Sequence, residues 1–269
     1  MSGNIDGCSQ TAVSGGSTSG TAPGPREKLL ANWTAGTAAY SAIVNRELHS
    51  FKRAAWLDLI RKNAGNGGML NALDIGTGPG FFAILMALEG HRVTAVDCTE
   101  SMIAEARLNA EREGASVNFM LADSHATDFA DETFDLIISR NVTWTLLNAD
   151  KAYSEWKRIL KPEGRVLIFD ANWNRRLFDE KVLKEYERSM DDYQRLFNEK
   201  VPDFTEAELD YRRSMPMCGR LRPQWDFDAL LRVGYRKISC DMDIGRRVYD
   251  EKELVKYRVN PMFLLIAQK

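Results

Sequence analysis

The chain has 269 residues, of which 44% are hydrophobic and 28% charged, the balance of a globular protein with one large domain or a core domain and an embellishment. A formal net charge of −2 and a pI near 6.0 argue against a protein built mainly to grip nucleic acid. Cys8, Cys98, Cys218 and Cys240 are scattered without metal-ligand spacing, which fits reduced thiols in a cytoplasmic protein and no metal centre.

In chain order, residues 1–25 form a Gly, Ser and Thr-rich segment that offers no packing surface, and we expect a flexible tail. The start has no basic region followed by an apolar one, so no secretory signal is expected, and no apolar run is long enough to span a membrane. Residues 26–68 are helical in pattern and form an N-terminal cap, with Trp33, Tyr40, Val44, Leu48, Phe51, Trp56, Leu59 and Ile60 at roughly helical spacing before "NAGNGG" breaks it. Residues 69–173 then alternate. "MLNALDIG" predicts a strand and "FFAILMALEG" a helix; "HRVTAVDC" predicts a strand and "ESMIAEARLNAEREG" an amphipathic helix with Met102, Ile103, Ala106 and Leu108 inward. "VNFMLAD" and "FDLIISRN" predict strands, "KAYSEWKRILKPEG" a helix stopped by Pro162 and Gly164, and "RVLIFDAN" a buried strand. This order predicts an α/β fold with a doubly wound, mostly parallel sheet.

Residues 174–223 interrupt the alternation with a long amphipathic helix whose stripe runs from Phe178 to Phe197, and residues 224–269 resume it with one helix and two strands. "MPMC", Met215 to Cys218, reads as a hydrophobic turn rather than a set of sulfur ligands. Arg212, Arg213, Arg220, Arg222, Arg246 and Arg247 make this third of the chain locally basic, which reads first as a solvated face and second as an anion-binding feature.

"LDIGTGPGFF" carries glycines at 76, 78 and 80 behind Asp74. In an open parallel sheet, ligands bind at the carboxyl ends of the strands, where this loop belongs. A dinucleotide fingerprint would need a third glycine at the position of Phe81, and a P-loop would need G-K-[ST]; both fail. A carboxylate beside the glycines would repel a pyrophosphate, whereas Asp74 suits a cationic group. Asp97 closes the second strand about 20 residues after the loop, where a carboxylate chelates ribose hydroxyls. Asp123 closes the third and could accept from an exocyclic amine. An amine, a ribose and an adenine without phosphate together describe S-adenosylmethionine.

"LDIGTGPGFFA", "VDCTESMI", "LADSHATDF", "FDLIISRNVTW" and "ILKPEGRVLIFD" resemble the successive motifs of class I S-adenosylmethionine-dependent methyltransferases, most closely the small-molecule branch called type 11. The resemblance implies a seven-stranded Rossmann-like sheet whose last strand runs antiparallel between the two before it. It implies that Asp74, Gly76 and Gly78 line the methionine moiety and that Asp97 holds the ribose, with Thr77 and Cys98 also expected among the cofactor-binding residues. Met102, Asp123, Ser124 and His125 fall at the adenine, with Ser139 and Asn141 facing the sulfonium. Tyr40, Trp144 and Trp173 are the expected apolar walls of an acceptor pocket under a helical lid formed by the N-terminal helix and residues 174–223. His125 and Asp170 are the nearest candidates for a general base. The expected reaction is methyl transfer to a small molecule, with no nucleic acid or membrane partner and with room for a homodimer. The alternatives are an RNA or protein methyltransferase and a noncatalytic S-adenosylmethionine-binding protein.

Overall fold

The computed structural model describes residues 23–65 and 67–269, so most of the expected tail at 1–25 lies outside the described residues. Helix α1 (Pro25–Leu48) opens on a proline, whose missing N–H is one of the helix's unpaired donors anyway. The single helical stretch expected over residues 26–68 is instead two helices. Ser50 caps a new one, α2 (Phe51–Asn63), by accepting from the Lys52 amide at 3.3 Å.

The alternating core follows: β1 (Asn71–Ile75), α3 (Phe81–Leu88), β2 (Arg92–Asp97), α4 (Glu100–Glu113), β3 (Asn118–Leu121), β4 (Phe134–Arg140), α5 (Ala149–Ile159) and β5 (Leu160–Asp170). Gly114, at φ 66°, ends α4 in the left-handed cap that glycine adopts without strain. Leu108, expected to point inward from α4, is exposed, and Asn109 is buried in its place. At 100° per residue, Met102, Ala106 and Asn109 share a face that Leu108 misses. Asn109 is satisfied there, donating to Pro79 O at 3.0 Å and Ser41 Oγ at 3.2 Å. Pro162 and Gly164 do not stop α5 from within. The chain has already left it at Leu160, which pairs with Phe134, and the register shifts before Leu136 meets Arg165. A proline disfavours helical conformation in the residue before it, and it is tolerated in a strand at such an irregularity.

Helices α6 (Glu180–Phe197), α7 (Glu206–Ser214) and α8 (Gln224–Val233) come next, then β6 (Lys237–Asp241), α9 (Gly245–Val248), α10 (Glu251–Lys256) and β7 (Phe263–Gln268). The short helices α9 and α10 were not legible in the pattern. The seven strands lie in the order β3-β2-β1-β4-β5-β7-β6, parallel except for β7, which pairs antiparallel with both β5 and β6. The last strand is therefore inserted between its two predecessors, as the motif resemblance implied.

The apolar strands bury both faces. Ala72, Leu136, Ile138, Leu167, Phe169 and Leu264 pack towards α1, α2 and α3. The intervening Leu73, Ile137, Val166, Ile168, Phe263 and Leu265 pack towards α5 and α8, against Tyr153, Trp156, Ala229 and Leu230. Period-two alternation between two apolar layers is what makes these strands read as continuous hydrophobic runs. A third, smaller cluster sits beyond the strand ends: Trp144, Tyr211, Met215 and Cys218, with Leu29, Trp33, Leu147 and Trp173 against it. It joins α7 to α1, and Met215 and Cys218 of "MPMC" complete it, while Met217 belongs to the α5 and α8 layer and Pro216 is exposed. Among the described residues no helix is long and apolar enough to cross a membrane.

Candidate active site

The loop after β1 is built from left-handed turns, with φ 65° at Gly76 and 53° at Gly78. A Cβ at Gly76 would lie 2.3 Å from Cγ2 of Val142, so only glycine fits against the β4 loop. Asp74, at the end of β1, accepts from Thr77 Oγ1 at 2.7 Å and from the Ala83 amide at 3.0 Å, locking the loop onto the start of α3. Burial outweighs these bonds and pushes its carboxyl up to about 6, from an ordinary 3.8. The folded protein therefore binds a proton there more readily than the unfolded chain. Stability from this group is fully present below the unfolded value and is lost as pH rises through the folded one. Asp74→Asn keeps the acceptor oxygen and loses the titration. Between about pH 4 and about pH 8 the wild type is expected to lose on the order of 2 kcal/mol relative to the variant in chemical unfolding. Parallel pH profiles for the two proteins would contradict this.

Asp97 ends β2. Its two oxygens accept from the Gly78 amide at 3.0 Å and the Thr99 amide at 2.9 Å, so one carboxylate ties the glycine loop to the entry of α4. Burial raises the Asp97 carboxyl, and burial with the neighbouring Asp97 charge raises the Cys98 thiol. Asp123, after β3, accepts from both the amide and Nδ1 of His125, the latter at 2.7 Å, and pairs with Arg26 at 2.5 Å. Burial works against the charge, but the His125 and Arg26 bonds hold the Asp123 carboxyl down at about 2.

These strand ends open into a cleft enclosing about 860 Å³, part of it open to solvent. That lies within the roughly 300–1,000 Å³ of small-molecule sites. Gly76, Gly78, Asp97, Cys98, Met102, Asp123, Ser124, His125 and Asn141 all reach its wall, together with Tyr40. Asp74 and Thr77 lie beside a small adjoining recess that shares Tyr40, Gly76 and Arg140 with it. Ser139 is buried in β4 just behind Asn141. The set chosen for cofactor binding is thus brought to one place.

The acceptor-side expectations fare differently. Asp170 does not reach the cleft wall. It is fully buried, with Trp144 N, Thr143 Oγ1 and Arg222 Nη1 donating to one oxygen and Ala171 N and Trp173 Nε1 to the other. A carboxylate with five donors is an organiser of backbone and has no lone pair free to take a proton from a substrate. His125 lines the cleft but has both ring nitrogens engaged: Nδ1 with Asp123, and Nε2 accepting from the Asn148 amide at 3.3 Å. Trp144 and Trp173 lie outside the wall as well. Trp144 packs between Trp33 and Tyr211, with centroids 6.2 and 6.0 Å away, and Trp173 stacks edge-on with Tyr257 at 5.4 Å. The expected solvated face also fails at Arg222, which is 3% exposed.

The stripe of α6 does not cover the strand ends. It packs against α10, with Ser189 Oγ donating to Val255 O at 2.7 Å and Arg258 pairing with Asp192 at 2.8 Å. The surface over the cleft comes from α1 through Arg26, Leu29, Leu30, Trp33 and Tyr40, with Val142, Thr145, Leu146 and Leu147 from the β4–α5 loop opposite. Sequence reading missed Arg26, Leu29 and Leu30, and also Arg140. Arg140 is a cation at the end of the apolar run Leu136–Ile138, a signal that was available. Its guanidinium lies 4.4 Å from the Phe81 ring centre and pairs with Glu47 at 2.8 Å. Burial alone would raise the Glu47 carboxyl, but Arg140 and Lys52 hold it below its ordinary value.

The sheet order, the inserted antiparallel strand and the carboxylates at the ends of β1, β2 and β3 define the class I S-adenosylmethionine-dependent methyltransferase fold. Residues 73–168 match the family described as "Methyltransferase domain". It is 28% identical over 156 residues to a ubiquinone biosynthesis O-methyltransferase of Rickettsia conorii, covering 57% of this chain and 53% of that protein. It is 34% identical over 131 residues to a ubiquinone/menaquinone biosynthesis C-methyltransferase of Paracoccus denitrificans, covering 46% and 49%. The chain thus spans about half the length of these curated relatives. Phosphoethanolamine N-methyltransferase 2 of Haemonchus contortus, solved in complex with S-adenosyl-L-methionine, shares the fold with a TM-score of 0.56 at 18% identity, over 79% of this chain and 51% of that one.

The residues present fit the cofactor of this family. Ser139 Oγ and Asn141 Oδ1 are buried oxygens with no partner among the described residues, at the strand end where polar groups of a ligand would be received. Asp97 retains acceptor capacity beyond its two backbone bonds. Gly78 admits no side chain without crowding Tyr40, whose Cε1 would lie 3.2 Å from an added Cβ.

Proposed function

We propose that this protein transfers a methyl group from S-adenosylmethionine to a small-molecule acceptor. The observation that carries the reading is the convergence of Asp97, Asp123, the glycine loop and the unpartnered Asn141 oxygen on one largely apolar cleft. When bound, S-adenosylmethionine supplies a methyl group on a sulfonium, an electrophile that needs no further activation. The chain's own work is then to bind, to orient and to exclude water. Asp97 holds the ribose end and fixes the loop beneath it. Asn141 and Ser139 offer oxygens beside the sulfonium. Met102 and Ser124 flank the adenine. His125 orients Asp123 and is not a free base, so the acceptor's nucleophile either needs no deprotonation or gives its proton to water.

The cover over the cleft is α1, buttressed from outside by α7 and Trp144. Residues 174–223 act as its support. Product binding is then expected to slow hydrogen exchange in α1 around Leu29 to Tyr40 much more than in α6. Equal protection in both helices would return the covering role to residues 174–223.

The test of the activity is calorimetry with S-adenosylhomocysteine, followed by a methyl-transfer screen against a metabolite library. Binding of the product together with turnover of a small acceptor supports the reading. Binding without turnover on any small molecule, RNA or protein would leave a noncatalytic cofactor-binding protein.

A further inference from the structure

Arg176, just before α6, and Arg212, on α7, both lie against Phe204. The Arg212 guanidinium carbon is 3.8 Å from the Phe204 ring centre and 5.5 Å from that of Trp144. The Arg176 carbon is 4.8 Å from Phe204 and 3.8 Å from Tyr186. Aromatic rings therefore cover the faces of both cations, while the N–H groups lie around their edges. Arg212 uses Nη1 to donate to Asn174 Oδ1 at 2.8 Å, but its Nε is buried and has no acceptor among the described residues.

Neither cation has a carboxylate partner among the described residues. The acids closest in charge effect are Asp203 for Arg176 and Glu208 for Arg212, and both are engaged elsewhere. Asp203 pairs with Lys200 at 3.4 Å, and Glu208 caps its own helix, accepting from the Thr205 amide at 2.7 Å and from its hydroxyl at 2.8 Å. Burial lowers the pKa of both arginines, and the two cations repel each other. The contrast with the other enclosed arginines is sharp. Arg140 has Glu47, and Arg222 has Asp170 and Asp226. Two partly desolvated cations without counter-charge are costly, and an anion with several acceptor oxygens resolves both the repulsion and the unused donors.

We propose that Arg176 and Arg212 form an anion-binding site for a carboxylate or phosphate group. Arg212 packs on Trp144, which packs in turn on Trp33 of the cleft wall, so an anion held there would sit behind the cover, on the α7 side of Trp144.

The site is tested by titrating the full chain with inorganic phosphate and, separately, with succinate at constant ionic strength, by calorimetry and thermal melting. Saturable binding of at least one anion is expected, weakened roughly 10-fold or more in Arg212→Gln and in Arg176→Gln. Arg212→Lys, which keeps the charge but not the fork, should recover part of it. Tighter binding of phosphate or of succinate tells which group the site takes. No saturable binding of either anion, or unchanged binding in both glutamine variants with intact melting curves, overturns the site. S-adenosylhomocysteine affinity should be the same in all four proteins. If the anions bind and S-adenosylhomocysteine does not, the methyltransferase reading fails while the site stands.

Discussion

Replacing Arg222 by methionine is expected to destabilise the protein by about 3–5 kcal/mol, the range for removing one partner of a buried charge cluster. Its side chain is 1% exposed, and those of Asp170 and Asp226 are fully buried. Nη1 donates to Asp170 at 3.0 Å, and Nε and Nη2 grip Asp226 at 2.8 and 2.9 Å. Tyr153 Oη also donates to Asp226, and Thr143 Oγ1 to Asp170. Methionine fills a similar volume, so the loss should come from two carboxylates left without their cation. One consequence separates this from a packing defect. Adding Asp170→Asn and Asp226→Asn to Arg222→Met should recover a large part of the loss. Chemical unfolding checks this. A loss under about 1 kcal/mol, or one that the two added substitutions do not relieve, would mean that the cluster is not held by charge. Because Asp170 also receives the Trp144 amide, partial repair should bring the β4–α5 loop back with it.

Asp97→Ala is expected to weaken S-adenosylhomocysteine binding by at least about 100-fold. The carboxylate carries two tasks at once. It receives the Gly78 and Thr99 amides, which shapes the loop, and its remaining lone pairs are the acceptors available at the end of β2. Each hydrogen bond to a charged group contributes roughly 1.5–3 kcal/mol, so losing two such interactions accounts for a drop of that size. Asp97→Asn should fall between wild type and alanine, since an amide keeps only one acceptor oxygen. Calorimetry that returned wild-type affinity for the alanine variant would exclude Asp97 from the donor site and, with it, the registration of the cleft given above.

What could be read from the residues follows a physical line. The positions of the residues expected to hold the donor were legible because each is fixed by backbone geometry: glycines where φ is positive, and carboxylates where parallel strands end. Asp74, Asp97 and Asp123 could be placed from strand order alone. The acceptor half was not legible, because it depends on how added helices pack. Periodicity identified α6 as amphipathic but not its partner, and α10, which takes up that face, is only six residues long and leaves no periodic trace. Asp170 and Trp173 stand next to a strand end, as catalytic groups do. Only the structure reveals that Arg222, distant in sequence, turns Asp170 inward and that Trp173 donates to it. Arg26 was invisible for a similar reason: a lone cation in the first turn of a helix says nothing of a carboxylate 97 positions away.

The place of β7 bears on how the molecule is made. It is the last strand in chain order, yet it lies between β5 and β6 and supplies all the hydrogen bonding that joins them. On a ribosome, β5 emerges with its apolar Val166 to Phe169 edge unpaired, and it stays so while about a hundred further residues are synthesised. Only when Phe263 to Gln268 clear the exit tunnel can that edge be closed. A nascent chain of this topology carries an open, hydrophobic sheet edge through about the last third of its synthesis, which is the kind of surface that holdase chaperones cover.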